Sequence, residues 1–184
     1  STRKLRFGFI SGKVLNQRKG FVKIIPLLEA LSNFNVEVVL NVYGDIDASK
    51  KILNPKFEIA YNGSFSRDNI YSVFDKIDIF LCPSQADNSP NVVCESLAHG
   101  RPVIGQCGTG IDSYISSDIG ELFDFWGEFP KKQLKFYNAC NRIVSNYEKM
   151  SKGSIIYSQN NLSPEIIGKK YLSLYESLTK REVS

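Results

Sequence analysis

Apolar and polar positions follow two different periods along this chain, and the changes of period mark its elements. Short apolar runs occur at Leu5–Ile10, Val36–Tyr43, Phe57–Tyr61, Ile77–Cys82, Pro102–Gly105 and Ile119–Phe123, each bounded by polar, Gly or Pro residues. Continuous apolar runs this short are strands buried on both faces. Between them, Phe21–Leu31 repeats apolar residues at helical spacing, with Pro26 inside the pattern and a kink expected there. Ser66 is a candidate N-cap for a helix reaching Phe74. Asn91–His99 is a short helical pattern closed by Gly100, and Asp45–Asn54 is a loop or a short helix. From about Phe129 to Lys152 the pattern is helical and amphipathic. Ser163-Pro164-Glu165 opens a last helix to about Thr179, with Ile166, Ile167, Tyr171, Leu174, Tyr175 and Leu178 on one side. Strands alternating with helices predict an α/β fold: a doubly wound, mostly parallel six-stranded sheet with helices on both faces. No repeat and no linker divides the chain, so residues 1–184 are expected to form a single domain with a helical segment from about 129 to 180.

Ligands in such sheets bind outside the carboxyl ends of the strands. The loops expected there carry distinctive chemistry. Ser11–Lys19 holds Gly12, Lys13, Arg18 and Lys19, and the loop after the fourth strand holds Asp87, Asn88, Ser89 and Pro90. The helix that follows starts at Pro90-Asn91-Val92-Val93, and a helix start has unpaired N–H groups and a partial positive charge that attract phosphate. Lys13 and Lys19 either close on the same anion or form a solvated basic loop. Glu95, one turn into the helix, either complements the helix dipole or accepts hydrogen bonds from vicinal hydroxyls. Asp87 is either a loop-capping residue or a ligand contact. His99, the sole histidine, sits where a helix ends and is assigned a structural role.

Composition narrows the classes. A net charge of +4 without a basic cluster on one face does not point to nucleic acid, and it tolerates an anionic ligand or an anionic membrane surface. Cys82, Cys94, Cys107 and Cys140 form no CxxC and no metal spacing, which suits reduced thiols in a cytoplasm. No apolar run approaches the ~20 residues of a membrane span. Gln106–Asp112 is glycine-rich but is not a GxGxxG opening a helix after the first strand, and no Walker motif is present.

Taken in order, several segments resemble the donor-binding, C-terminal half of the retaining group 1 glycosyltransferases of the GT-B fold. FGFISGKVLNQRKGF is similar to the strand, Gly, Arg, loop and Lys-Gly element of that family. Lys19-Gly20 matches, and Lys13 stands where Arg is usual. Tyr43-Gly44 resembles the second strand and its glycine, and IDIFLCPS resembles the strand ending in Pro-Ser. The family's two acids with seven residues between them read here as Asp87-NSPNVVC-Glu95, with Asp in place of the usual first Glu. DNSPNVVCESLAHGRPVI is much like the DN-x-PN variant of capsule and lipopolysaccharide transferases, and IIGKKYLSLYESL is similar to the closing helix.

The resemblance implies a Rossmann-like fold and a nucleotide-diphosphate sugar, a UDP- or GDP-hexose, as donor. Glu95 would hold the ribose hydroxyls and Asp87 the hydroxyls of the transferred sugar. Lys13 and Lys19 would neutralise the diphosphate, with Gly12, Ser89, Pro90, Asn91, Val92 and Val93 around it. No cofactor or metal is implied. Implied partners are a saccharide or lipid-linked acceptor and an N-terminal acceptor domain absent from these residues, without which no transfer is expected. A cytoplasmic place is expected, with peripheral membrane association of the longer enzyme. The alternative is a non-catalytic α/β module that binds a nucleotide sugar or a partner. A signalling domain on the same sheet would need an acidic cluster at the first strand end, where this chain is basic.

Overall fold

The computed structural model describes residues 3–52, 55–87, 90–128 and 132–179, and the six apolar runs are the strands of one sheet. They are β1 (Arg3–Lys13), β2 (Val36–Asp45), β3 (Glu58–Gly63), β4 (Ile79–Cys82), β5 (Val103–Gln106) and β6 (Gly120–Phe123). The order is β3-β2-β1-β4-β5-β6, and every pairing is parallel, as expected of a doubly wound sheet. The chain winds outward from β1 to β3, returns to the other side of β1, and winds outward again. The reversal lies between β1 and β4. There the ladder pairs only Phe7 with Ile79 and Gly8 with Phe80, whereas β1 matches β2 from Arg3 to Ile10. At its amino end the joint is closed by Arg6, whose guanidinium lies 2.6 Å from the Asp78 carboxylate. That hydrogen bond raises the Arg6 pKa.

Alternation within each strand sends side chains to two cores. Phe7, Phe9, Leu40, Val42, Ile79, Leu81 and Ile104 face α1 (Phe21–Ala30) and α4 (Gln133–Ser145). Ile10, Tyr43, Phe80, Cys82 and Val103 face α2 (Ile70–Phe74) and α3 (Asn91–Ala98). In the first core Phe136 is fully buried, with its ring 5.3 Å from Phe123. Burying a ring of this size contributes about 2–3 kcal/mol. The α1 helix runs through Pro26 to Ala30, its buried face of Ile24, Ile25, Leu27 and Leu28 spanning the proline, so packing offsets the lost hydrogen bond.

Four elements differ from expectation. β1 continues to Lys13 because β2 also runs on to Asp45, and Val14 N–H donates to the Asp45 carbonyl at 3.0 Å. The helix expected from Ser66 begins as a 3-10 turn, Arg67–Asn69, and becomes α-helical only at Ile70. The helical pattern expected over 129–152 resolves into two helices, α4 and α5 (Tyr147–Asn161), and residues 129–131 lie outside the described set. The break is at Asn146, whose side-chain amide donates to the Arg142 carbonyl at 2.9 Å and competes with the helix ladder. Finally, α5 outlasts the expected end because its buried stripe is Met150, Ser154 and Ser158, two of which are not apolar.

The last helix, α6 (Pro164–Thr179), has the expected bounds and no buried residue. Its apolar side stays open, with Tyr171 and Leu174 half exposed at 56% and 50%. Among the described residues no helix is long and apolar enough to cross a membrane.

Candidate functional site

The carboxyl ends of β1, β2, β3 and β4 surround a cavity of about 580 Å³ floored by the start of α3. Ile10, Ser11 and Gly12 enter from β1, Gly44 from β2, and Ser64 and Phe65 from the loop after β3. Lys19 reaches in from the turn before α1, Asp87 from the loop after β4, and Pro90, Asn91, Val92 and Glu95 from α3.

Local sequence explains each position. Pro90 is the N-cap of α3 in extended conformation, and no side chain caps it. The N–H of Val93 already donates to the Pro90 carbonyl at 2.9 Å. The N–H groups of Asn91 and Val92 precede the intrahelical ladder, and both residues line the cavity. Asn91 and Glu95 are four apart and share a face, while Val93 and Leu97 point into the core. Gly20 places Lys19. It is left-handed at φ 75, and a Cβ there would stand 2.8 Å from the Pro83 carbonyl oxygen, so only glycine lets the start of α1 come against the end of β4. Two further bonds fix that end of β4: Gln85 N–H to the Arg18 carbonyl and Trp126 Nε1–H to the Pro83 carbonyl, both 2.8 Å.

These constraints bring Lys19 and Asp87 together, Nζ to Oδ2 at 2.6 Å. Beneath them lies Cys82. Burial pushes its thiol up to about 12, the Asp87 charge adding to the shift and Lys19 opposing it. Cys82 is therefore a protonated core side chain.

Of the residues singled out from sequence, Asp87, Glu95, Lys19, Gly12, Pro90, Asn91 and Val92 meet in this one cavity. Ser89 lies outside the described residues. Lys13 is not brought in. As part of β1 rather than of a loop, it lines a separate recess with Asp45, Asp47 and Lys50. Val93 contributes no side chain, being fully buried. The glycine-rich loop after β5 closes on itself, with Gly108 N–H donating to the Asp112 carboxylate at 3.0 Å. His99 is structural: its Nδ1 lies 2.7 Å from the Glu95 carbonyl, and its ring stands between Tyr71 and Phe74.

Ser11, Gly44, Ser64 and Phe65 were not foreseen. Phe65 had a signal, an aromatic residue in an otherwise polar loop at the carboxyl edge of the sheet. Its ring meets Tyr43 edge-on at 5.8 Å.

A second concavity of about 600 Å³ lies between β6 and α4, where Arg142 pairs with Glu121 and Lys132 stands 3.8 Å from Asp124. Burial lowers the Lys132 pKa, and the Asp124 charge opposes that shift. This concavity gathers none of the residues singled out from sequence. Among the described residues no group of three or more His, Cys, Asp or Glu is placed to hold a metal ion.

The profile of the family described as "Glycosyl transferases group 1" matches residues 6–145, which run from within β1 past β6 and include every residue lining the cavity. The chain belongs to the group 1 glycosyl transferases. Over 88 residues it is 31% identical to digalactosyldiacylglycerol synthase 2, chloroplastic, of Arabidopsis thaliana, a match covering 47% of this chain and 19% of that protein. Among solved structures, sucrose-phosphate synthase from Thermosynechococcus elongatus superposes with a TM-score of 0.73 at 16% identity, covering 96% of this chain and 46% of the other. Anabaena Alr3699/HepE, in complex with UDP, superposes with a TM-score of 0.71 at 15% identity, covering 95% and 49%. This group 1 chain thus spans about half the length of those solved structures or less, and about a fifth of the curated relative. The superpositions establish that its sheet and helices are those of the GT-B glycosyltransferases.

Proposed function

We propose that this domain binds the donor of a retaining glycosyltransferase, a nucleotide-diphosphate hexose built on uridine or guanosine. The observation that carries this is the convergence of the α3 start, Lys19, Asp87 and Glu95 on one cavity at the carboxyl edge of the sheet. The N–H groups of α3 and the Lys19 ammonium face the diphosphate, so charge developing on the leaving group is met by fixed positive ends. Glu95 accepts from the ribose hydroxyls and Asp87 faces the sugar. Phe65 and Val92 offer apolar surface to the base. The bound UDP of the HepE structure supports a nucleotide in a domain of this fold. Transfer to a saccharide or lipid-linked acceptor in cell-surface polysaccharide synthesis follows the DN-x-PN likeness, and it needs a second domain to present the acceptor. Four free thiols suit the cytoplasmic side of the membrane.

A thermal-shift panel of UDP, GDP and ADP with their sugar conjugates tests this. One base series should raise the midpoint by about 5–10 °C at a hundredfold excess over Kd. No shift with any member at millimolar concentration overturns the proposal.

Gly12 gives a finer test. No heavy atom lies within 4 Å of where its Cβ would stand. Gly12→Ala is expected to keep the free chain's midpoint within about 2 °C, since it creates no clash. It should weaken nucleotide binding severalfold by holding the phosphates away from the backbone. Equal binding by the two proteins would remove Gly12 from the site.

A further inference from the structure

Lys19 and Asp87 spend on each other the charges that a donor would meet. Their 2.6 Å contact joins the turn before α1 to the loop after β4, and their side chains are only 34% and 17% exposed. Among the described residues the cavity lining sets this lysine against two carboxylates, Asp87 and Glu95. An entering diphosphate must therefore share Lys19 with Asp87.

The two states of the nucleotide do not feel that carboxylate equally. In a nucleotide sugar the outer phosphate is esterified and carries one negative charge. Once the sugar has left, the outer phosphate is a terminal phosphate with a second ionisation at about pH 6, and above that pH it carries nearly two. A carboxylate held against the same lysine repels the second form more strongly, and a partly buried setting keeps that repulsion from being screened away. We infer that Asp87 is a specificity-determining residue that, through its pair with Lys19, favours the nucleotide sugar over the bare nucleoside diphosphate and so promotes exchange of spent donor. This rests on the nucleotide-sugar reading of the cavity.

Calorimetric titration of the 184-residue chain with UDP, UDP-glucose, GDP and GDP-mannose at pH 5.5 and 8 tests it. Asp87→Asn should tighten the bare diphosphate of the preferred base about tenfold at pH 8 and much less at pH 5.5. Asp87→Glu, which keeps the charge, should retain the wild-type ratio of diphosphate to sugar conjugate. The charged and titratable groups around the pair are Glu95 on α3 and Cys82 beneath, with His99 at the far end of α3. The sugar conjugate keeps its charge between the two pH values and reports what titration of protein groups does to a fixed charge, and comparing wild type with Asp87→Asn at each pH isolates the part that belongs to Asp87. If Asp87 only held sugar hydroxyls, Asp87→Asn would weaken the conjugate and leave the bare diphosphate unchanged, and that outcome overturns the inference. Should the Asn variant not fold, the wild-type ratio decides: it must favour the conjugate more at pH 8 than at pH 5.5, and a flat ratio overturns the inference. Failure of wild type to bind any of the four ligands overturns the parent reading as well, which separates the two.

Discussion

Glu95→Ala is expected to lower nucleotide affinity by at least about a hundredfold. Two hydrogen bonds from ribose hydroxyls to a carboxylate are each worth about 1.5–3 kcal/mol, and 1.4 kcal/mol is tenfold in Kd. The position supports a loss of this size. Glu95 is half-buried, shares the cavity face of α3 with Asn91, and is backed by a core of Val93 and Leu97 that fixes the helix. Glu95→Gln keeps the shape without the charge and should fall between alanine and wild type. The measurement is calorimetric titration with the nucleotide that gives the largest thermal shift. Affinity unchanged by Glu95→Ala would take the ribose away from this residue and the donor reading with it.

Gly44→Ala is expected to be the most damaging single substitution to the fold beside the site. Gly44 has φ 134, a region closed to side chains, and a Cβ there would stand 1.7 Å from the Ser11 carbonyl oxygen. That oxygen belongs to the backbone of β1 and has no flexible end to swing away. Forcing the strands apart at this point should cost at least about 4 kcal/mol. For a chain of this size that lowers the midpoint by about 8–16 °C. Ser11, Gly12 and Gly44 line the cavity together, so nucleotide binding should fall with stability. Gly63→Ala is the comparison: φ is 71 but no heavy atom lies within 4 Å of the added carbon. Its cost should stay near the ~1–2 kcal/mol of left-handed strain alone. Equal midpoints for the two variants would mean that the contact with Ser11 is not what matters.

The fold was legible because the sheet is buried on both faces. Runs such as VEVVLNVY and IDIFLC announce themselves without alternation, and the bounds of α6 are written in Ser163-Pro164. What escaped lacked an apolar signal. The second half of α5 buries Ser154 and Ser158, and the α4–α5 break turns on one amide of Asn146. At the site, Asp87, Glu95 and Lys19 were readable because their spacing around a helix start is distinctive. The placing of Lys13 was not readable, since it depends on whether β1 stops at Ile10 or follows β2 to Asp45. Nor was the contact of Lys19 with Asp87. It arises from Gly20 pressing against Pro83, a contact between residues far apart in sequence.

The short ladder between β1 and β4 has a mechanical consequence. Lys19 belongs to the half of the sheet wound from β1 to β3, and Asp87 and Glu95 to the half wound from β4 to β6. A nucleotide held by both acts as a rivet across the shortest ladder of the sheet. Ligand grip and the cohesion of the two halves then become one quantity. Gly8, where a Cβ would stand 2.3 Å from Ile77, sits at that joint away from the cavity. Loosening the joint there weakens the grip without touching the ligand.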